Sequence, residues 1–168
     1  MKKLLSYDEL MAGIEKAARS LDLPDNYVLV YIEDGAKRFA YALSEFLGVE
    51  TVSSIKIKSY VGTTSQKFEW IKEPDPAVVK DKPVLLVDDI FDTGRTIVEA
   101  KRKLIEAGAA YIHTCVLLMK DKPRSYSEGV IDCAVFHVPD EFVVGFGLDY
   151  DGEYRDLNGI YILNYNMQ

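Results

Sequence analysis

Val84-Leu85-Leu86-Val87-Asp88-Asp89-Ile90-Phe91-Asp92-Thr93-Gly94-Arg95-Thr96-Ile97 decides how the rest of the chain is read. Four apolar residues stop at two adjacent aspartates, a third acid comes after them, and a glycine-containing turn opens the next amphipathic segment. A buried strand that delivers acids to its carboxyl end, leading into a helix whose first N–H groups attract anions, is a place to hold a phosphorylated sugar. Carboxylates are acceptor-only partners for neighbouring hydroxyls, while the N–H groups and hydroxyls of Thr93, Gly94, Arg95 and Thr96 suit a phosphate.

Outward from this turn, elements alternate. Ser6 and Glu9 form a capping box, and Leu10, Met11, Ile14, Ala17, Ala18 and Leu21 recur at helical spacing, predicting a helix from about Tyr7 to Leu21. After Pro24-Asp25-Asn26, the run from Tyr27 to Ile32 reads as a buried strand. Phe39, Ala42, Leu43 and Phe46 mark a helix closed by Gly48. Val52 to Lys58 is the next strand, and Val84 to Val87 leads into the acidic turn. Ile97, Lys101, Leu104 and Ile105 describe the helix after it, with the Lys101 stem along the apolar stripe, and Tyr111 to Met119 is another strand. The fold class is therefore α/β, a mainly parallel sheet flanked by helices with ligands at the strands' carboxyl ends. The strand order stays open.

Between Ser59 and Lys82 lie 24 residues of weak periodicity, including Gly62, Thr63, Thr64 and Ser65, which read as a lid or a disordered segment. Trp70 within them is either an anchor for that loop or part of a hairpin. After Gly129, Ile131 to Phe136, Phe142 to Phe146 and Ile160 to Leu163 read as short strands assigned to a small appended lobe. The expectation is one domain over residues 1–168, with a core at about 25–128 and a hood from 1–20 and/or 130–168.

Composition excludes several classes. A net charge of −7 argues against a nucleic-acid partner, although a small anion needs only a local cluster of donors. No apolar run approaches a membrane span, and no secretory leader is visible, so the expected setting is cytoplasmic without membrane contact. Cys115 and Cys133 sit in strand-like runs and read as buried free thiols. His113 and His137 lack ligand spacing and read as structural. Asp149-Tyr150-Asp151-Gly152-Glu153 is not a calcium loop, since its glycine falls too early and the terminal carboxylate is missing.

The run from Val84 to Ile97 resembles the 5-phosphoribosyl 1-diphosphate motif of type I phosphoribosyltransferases. Three more segments are similar to the hypoxanthine-guanine group of that family: Lys58-Ser59-Tyr60, Met119-Lys120-Asp121-Lys122-Pro123-Arg124-Ser125, and the stretch from Val138 to Asn158. The resemblance implies the family's sheet with a small hood formed largely by the C-terminal segment. It also implies transfer of the 5-phosphoribosyl group to N9 of hypoxanthine or guanine. By that resemblance Asp88 and Asp89 bind the ribose hydroxyls, Asp92 is the general base, and Asp92 to Thr96 hold the 5′-phosphate. Ser59 and Tyr60 belong to the lid, and Arg155 meets the diphosphate. Lys120 donates to the purine, Phe142 stacks on it, the Val143 backbone reads its edge, and Asp149 lies beside it. Mg²⁺ is the implied cofactor, with Asp88, Asp89 and Asp149 as its candidate ligands, and a homodimer or homotetramer is the implied assembly. The pattern departs at the first diphosphate loop, where Ile32-Glu33-Asp34-Gly35 places two acids and Asp34-Gly35 stands for the family's lysine-glycine. Two alternatives remain open: a non-catalytic ligand-sensing regulator of the same fold, and a transferase for xanthine or another base.

Overall fold

The structure, a computed structural model, describes residues 1–61, 66–123 and 130–164; for Val61 and Gln66 only the backbone is described. Gly62, Thr63, Thr64 and Ser65 of the lid reading, and Arg124 and Ser125 of the lysine segment, lie outside the described residues.

β1 (Lys2–Leu5) leads to α1 (Tyr7–Ser20), whose Ser6 and Glu9 satisfy each other's backbone N–H groups. Next are β2 (Val28–Ile32), α2 (Lys37–Leu47) and β3 (Val52–Val61), with Gly48 ending α2 in the left-handed conformation. Then come β4 (Gln66–Lys72), the one-turn helix α3 (Pro76–Val79), β5 (Pro83–Phe91) and α4 (Arg95–Glu106). β6 (Tyr111–Asp121), β7 (Cys133–Pro139), β8 (Val143–Val144) and β9 (Ile160–Ile162) follow among the described residues.

The large sheet has the order β4-β3-β2-β5-β6-β7, parallel throughout except for the antiparallel β3–β4 hairpin. Its central strands are apolar on both sides because both faces are covered. Along β5, Leu85 and Val87 point into one core with α1 and α2, whereas Val84 and Leu86 point into the other with Ile97, Ala100 and Leu104 of α4. This alternation fixes the register. A slip by one residue would exchange the faces and move the acids after Val87. A second sheet, β1-β9-β8, is antiparallel and forms the hood.

Three expectations change. The segment 59–82 is not structureless: β3 runs on to Val61 and β4 returns along it, with Trp70 both in that hairpin and bonded through Nε1 to Glu99 Oε1 at 3.0 Å. Ile131 to Phe136, expected in the appended lobe, instead supplies β7, which pairs in parallel with β6 and closes the large sheet. Phe46, an apolar marker of α2 in the sequence, is exposed. The Lys101 ammonium donates to Val130 O at 3.1 Å. Cys115 and Cys133 are free thiols facing each other across β6 and β7.

Candidate active site

β2 and β5 end side by side at the centre of the sheet, and the segments beyond their carboxyl ends form two walls of one cavity. β5 continues past Val87 to Phe91, so the two aspartates belong to the strand and not to a loose turn. Asp88 and Asp89, then Asp92, Thr93, Gly94 and Thr96, line a cavity of about 340 Å³ together with Asp34, Gly35, Asp149 and Arg155. Those residues come from three separate parts of the sequence. Of the other residues expected at the site, Arg95, Lys120, Phe142, Val143, Ser59 and Tyr60 do not line this cavity.

Asp88 is buried and accepts the Asp89 N–H at 2.9 Å, while Asp89 accepts the Ile90 N–H at 2.7 Å. Burial, then the neighbouring Asp89 charge, hold the Asp88 carboxyl well above the usual carboxylate range. Burial also raises Asp89, against which the Asp88 side chain, the Ile90 N–H and the charge of Arg155 act. Two adjoining acids with raised proton affinity form a strong acceptor set for hydroxyls or a cation. No side chain caps α4, whose N-cap is Gly94 in the left-handed conformation, and Thr96 and Ile97 of its first turn line the cavity. The Arg95 N–H donates to Thr93 Oγ1 at 3.4 Å.

The opposite wall is built by close backbone approach. A Cβ on Gly35 would stand 1.9 Å from Asp89 Oδ2, and one on Gly147, whose φ is +98°, would stand 2.5 Å from Gly35 O. Only glycines let the hood loop, the β2–α2 loop and the acid pair touch. Arg155 donates to Gly147 O at 2.8 Å and lies 3.3 Å from Asp149, whose other oxygen accepts the Gly152 N–H at 2.9 Å. Arg38, which no sequence pattern singled out, ties α2 to the hood through Leu157 O and Asn158 Oδ1 and lies 4.5 Å over the Phe146 ring.

The acidic β2–α2 loop has an internal answer to its charge. The Asp34 carboxylate pairs with Lys56 of β3 at 3.1 Å, so one of the two acids is neutralised by a lysine from the next strand. The Glu33–Asp34 peptide is cis.

At the other side of Asp92, β6 ends in a second charged group. Lys122 Nζ contacts Asp92 Oδ1, and Lys120 Nζ lies 3.6 Å from Asp92 Oδ2 and 3.9 Å from Asp140. Burial raises the Asp92 carboxyl, but the lysines outweigh it and leave it below the ordinary value. Phe142 is exposed and meets Tyr150 edge-on at 5.6 Å, so the expected stacking residue already has an aromatic neighbour, while the Val143 side chain is buried in the hood. Ser59 and Tyr60 lie on the exposed end of β3, where Tyr60 Oη donates to Glu69.

A phosphoribosyl transferase domain model matches residues 2–151. The hypoxanthine-guanine phosphoribosyltransferase of Streptococcus pneumoniae is 34% identical over 167 residues, covering 96% of this chain and 92% of the relative. The Schistosoma mansoni protein of the same name is 36% identical over 143 residues, 81% of this chain, and the chain spans only 47% of that relative's length. Among solved structures, the Trypanosoma cruzi hypoxanthine phosphoribosyltransferase in complex with the product IMP superimposes with a TM-score of 0.85 at 27% identity, covering 99% of this chain and 96% of that one. With this match over most of its length and an acid-lined cavity at the head of its parallel sheet, the chain belongs to the phosphoribosyl transferase domain family.

Proposed function

We propose that this chain transfers the 5-phosphoribosyl group of 5-phosphoribosyl 1-diphosphate to N9 of hypoxanthine or guanine, giving the nucleoside monophosphate and diphosphate in purine salvage. The observation that carries this reading is the convergence in one cavity of the Asp88–Asp89 pair, the α4 entrance and Arg155. The names and alignment of the Streptococcus and Trypanosoma relatives agree with it.

Each part of the cavity then has a task. Asp88 and Asp89 accept hydrogen bonds from the ribose hydroxyls, and Thr93 to Thr96 with the α4 N-terminus bind the 5′-phosphate. As the bond from C1 to the diphosphate lengthens, positive charge grows on the ribose, and the acid pair stabilises it. Arg155 leaves Asp149 in part to meet the diphosphate, for which its fork geometry is suited. Asp92 takes or orients the proton at purine N7 while N9 attacks, and Lys120 donates to the purine oxygen. Phe142 stacks on the purine ring, the Val143 backbone reads its edge, and Ser59 and Tyr60 take part in closing the site.

Mg²⁺ fits the donor set. Asp88, Asp89 and Asp149 line the cavity and would offer it hard carboxylate oxygens. Held there, the ion would supply positive charge to offset a leaving diphosphate. The regulator alternative drew on the acids at Glu33 and Asp34, and the pairing of Asp34 with Lys56 weakens that ground. The setting is cytoplasmic, which the free thiols support. The assembly is a homodimer or homotetramer, which exposed Tyr7, Tyr41 and Phe46 on α1 and α2 support and sedimentation velocity measures.

The test is incubation with Mg²⁺, 5-phosphoribosyl 1-diphosphate and hypoxanthine, guanine, xanthine or adenine in turn. Nucleotide from hypoxanthine or guanine is expected. Product from xanthine alone would move the chain to the alternative transferase, and binding of the sugar diphosphate without product from any base would favour the regulator.

A further inference from the structure

Two lysines stand at alternate positions of β6 and its immediate extension, so the two-residue period of a strand sends both toward the same side, while Asp121 between them turns to His137 at 3.4 Å. Lys120 and Lys122 are the more enclosed members of the group, at 13% and 24% side-chain exposure, and both face Asp92 and Asp140. Their distances differ. Lys122 contacts Asp92 directly and lies 3.8 Å from Asp140, whereas Lys120 sits between the two acids at 3.6 and 3.9 Å.

A single lysine in this place would face conflicting demands. Once Lys120 turns its ammonium to a purine oxygen, its hold on Asp92 loosens, and the half-buried carboxylate would lose charge compensation at the moment its orientation matters. We propose that Lys122 is the positioning residue for Asp92: its ammonium clamps the carboxylate against the end of β6, leaving Lys120 to serve the base. Asp140, across both lysines in the β7–β8 turn, keeps Lys122 pointing inward. Among the described residues, the charged groups facing Asp92 are Lys120 and Lys122 from the end of β6, with Asp140 behind them. This inference rests on the reading of Asp92 as the general base, and its test separates the two.

The direct test needs no turnover. In the full chain labelled with ¹³C at aspartate side chains, the Asp92 signal is assigned by its loss in Asp92→Asn. Its titration is then measured in wild type, Lys122→Met and Lys122→Arg. The clamp predicts that the midpoint rises by about 1 pH unit in Lys122→Met and returns toward wild type in Lys122→Arg. A midpoint that does not move in Lys122→Met overturns it. In turnover with hypoxanthine, Lys122→Met is expected to lower kcat about 10-fold with the purine KM within about twofold of wild type. A loss confined to the purine KM would place Lys122 on the base and overturn the clamp as well. If the wild-type chain forms no nucleotide, the proposed activity fails, and the titration still decides the clamp.

Discussion

Asp88 within β5 and Asp92 just past its end have opposite electrostatics, and each can be tested alone. Two lysines lower the proton affinity of Asp92, so Asp92→Asn removes the proposed proton acceptor without burying a new charge. Turnover is expected to fall about 10²-fold or more, with an unchanged far-UV spectrum; unchanged turnover would remove Asp92 from the chemistry. Asp88 is buried beside another acid, and its raised proton affinity means that the folded state binds more protons than the unfolded chain. Stability therefore falls as pH rises from the ordinary carboxylate range toward the raised folded value, so burying this acid is a net cost above the ordinary range. Asp88→Asn keeps an acceptor for the Asp89 N–H and removes that cost. The expected result is a Tm higher by about 2–4 °C, the shift about 1 kcal/mol gives in a domain of this size, with weaker binding of 5-phosphoribosyl 1-diphosphate. A lower Tm in calorimetry would contradict the assignment of Asp88 as a strained, ligand-facing acid. These residues were legible because an apolar strand that breaks into acids has few other uses. Lys122 and Lys56 were not, since their partners lie 30 and 22 positions away and only the folded sheet brings them together.

The elements around the site divide into those whose local sequence declares them and those defined by their neighbours. β2, β5, β6, α1, α2 and α4 carry clear apolar periods, which place them within a few residues. β4 escapes such a reading because Gln66-Lys67-Phe68-Glu69-Trp70-Ile71-Lys72 covers one side with charge, as an edge strand requires, and so looks like polar loop. β7 is legible as a strand, but nothing in its own residues says that β6 and not the hood is its partner. Two glycines in the loops test how these elements meet. In Gly35→Ala the new methyl collides mainly with the end of the Asp89 side chain, which can swing aside. The penalty should fall on ligand binding: KM for 5-phosphoribosyl 1-diphosphate up about 10-fold, with Tm nearly unchanged. In Gly147→Ala the collision is with backbone at Gly35, at a positive φ, so stability itself should drop by about 1–3 kcal/mol in denaturant titration. Equal effects of the two substitutions on stability would contradict this account of the loop contact.

At the scale of the molecule, the hood and the large sheet are joined where chemistry needs them joined. Arg38 reaches from α2 to Leu157 and Asn158, and Gly147 lies on Gly35, so the segment carrying Asp149 and Arg155 is fastened beside the acid pair. In a chain with a net charge of −7, the cations around the site are paired to carboxylates: Lys56 with Asp34, Arg155 with Asp149, Lys122 with Asp92. The central claim is that one cavity receives both ends of a ribose phosphate. A crystal structure of the protein with IMP tests it most directly. The account predicts the ribose hydroxyls within hydrogen-bond reach of Asp88 and Asp89, the phosphate on Thr93 to Thr96, and the purine oxygen beside Lys120. IMP bound elsewhere, or bound with its phosphate away from the start of α4, would contradict it.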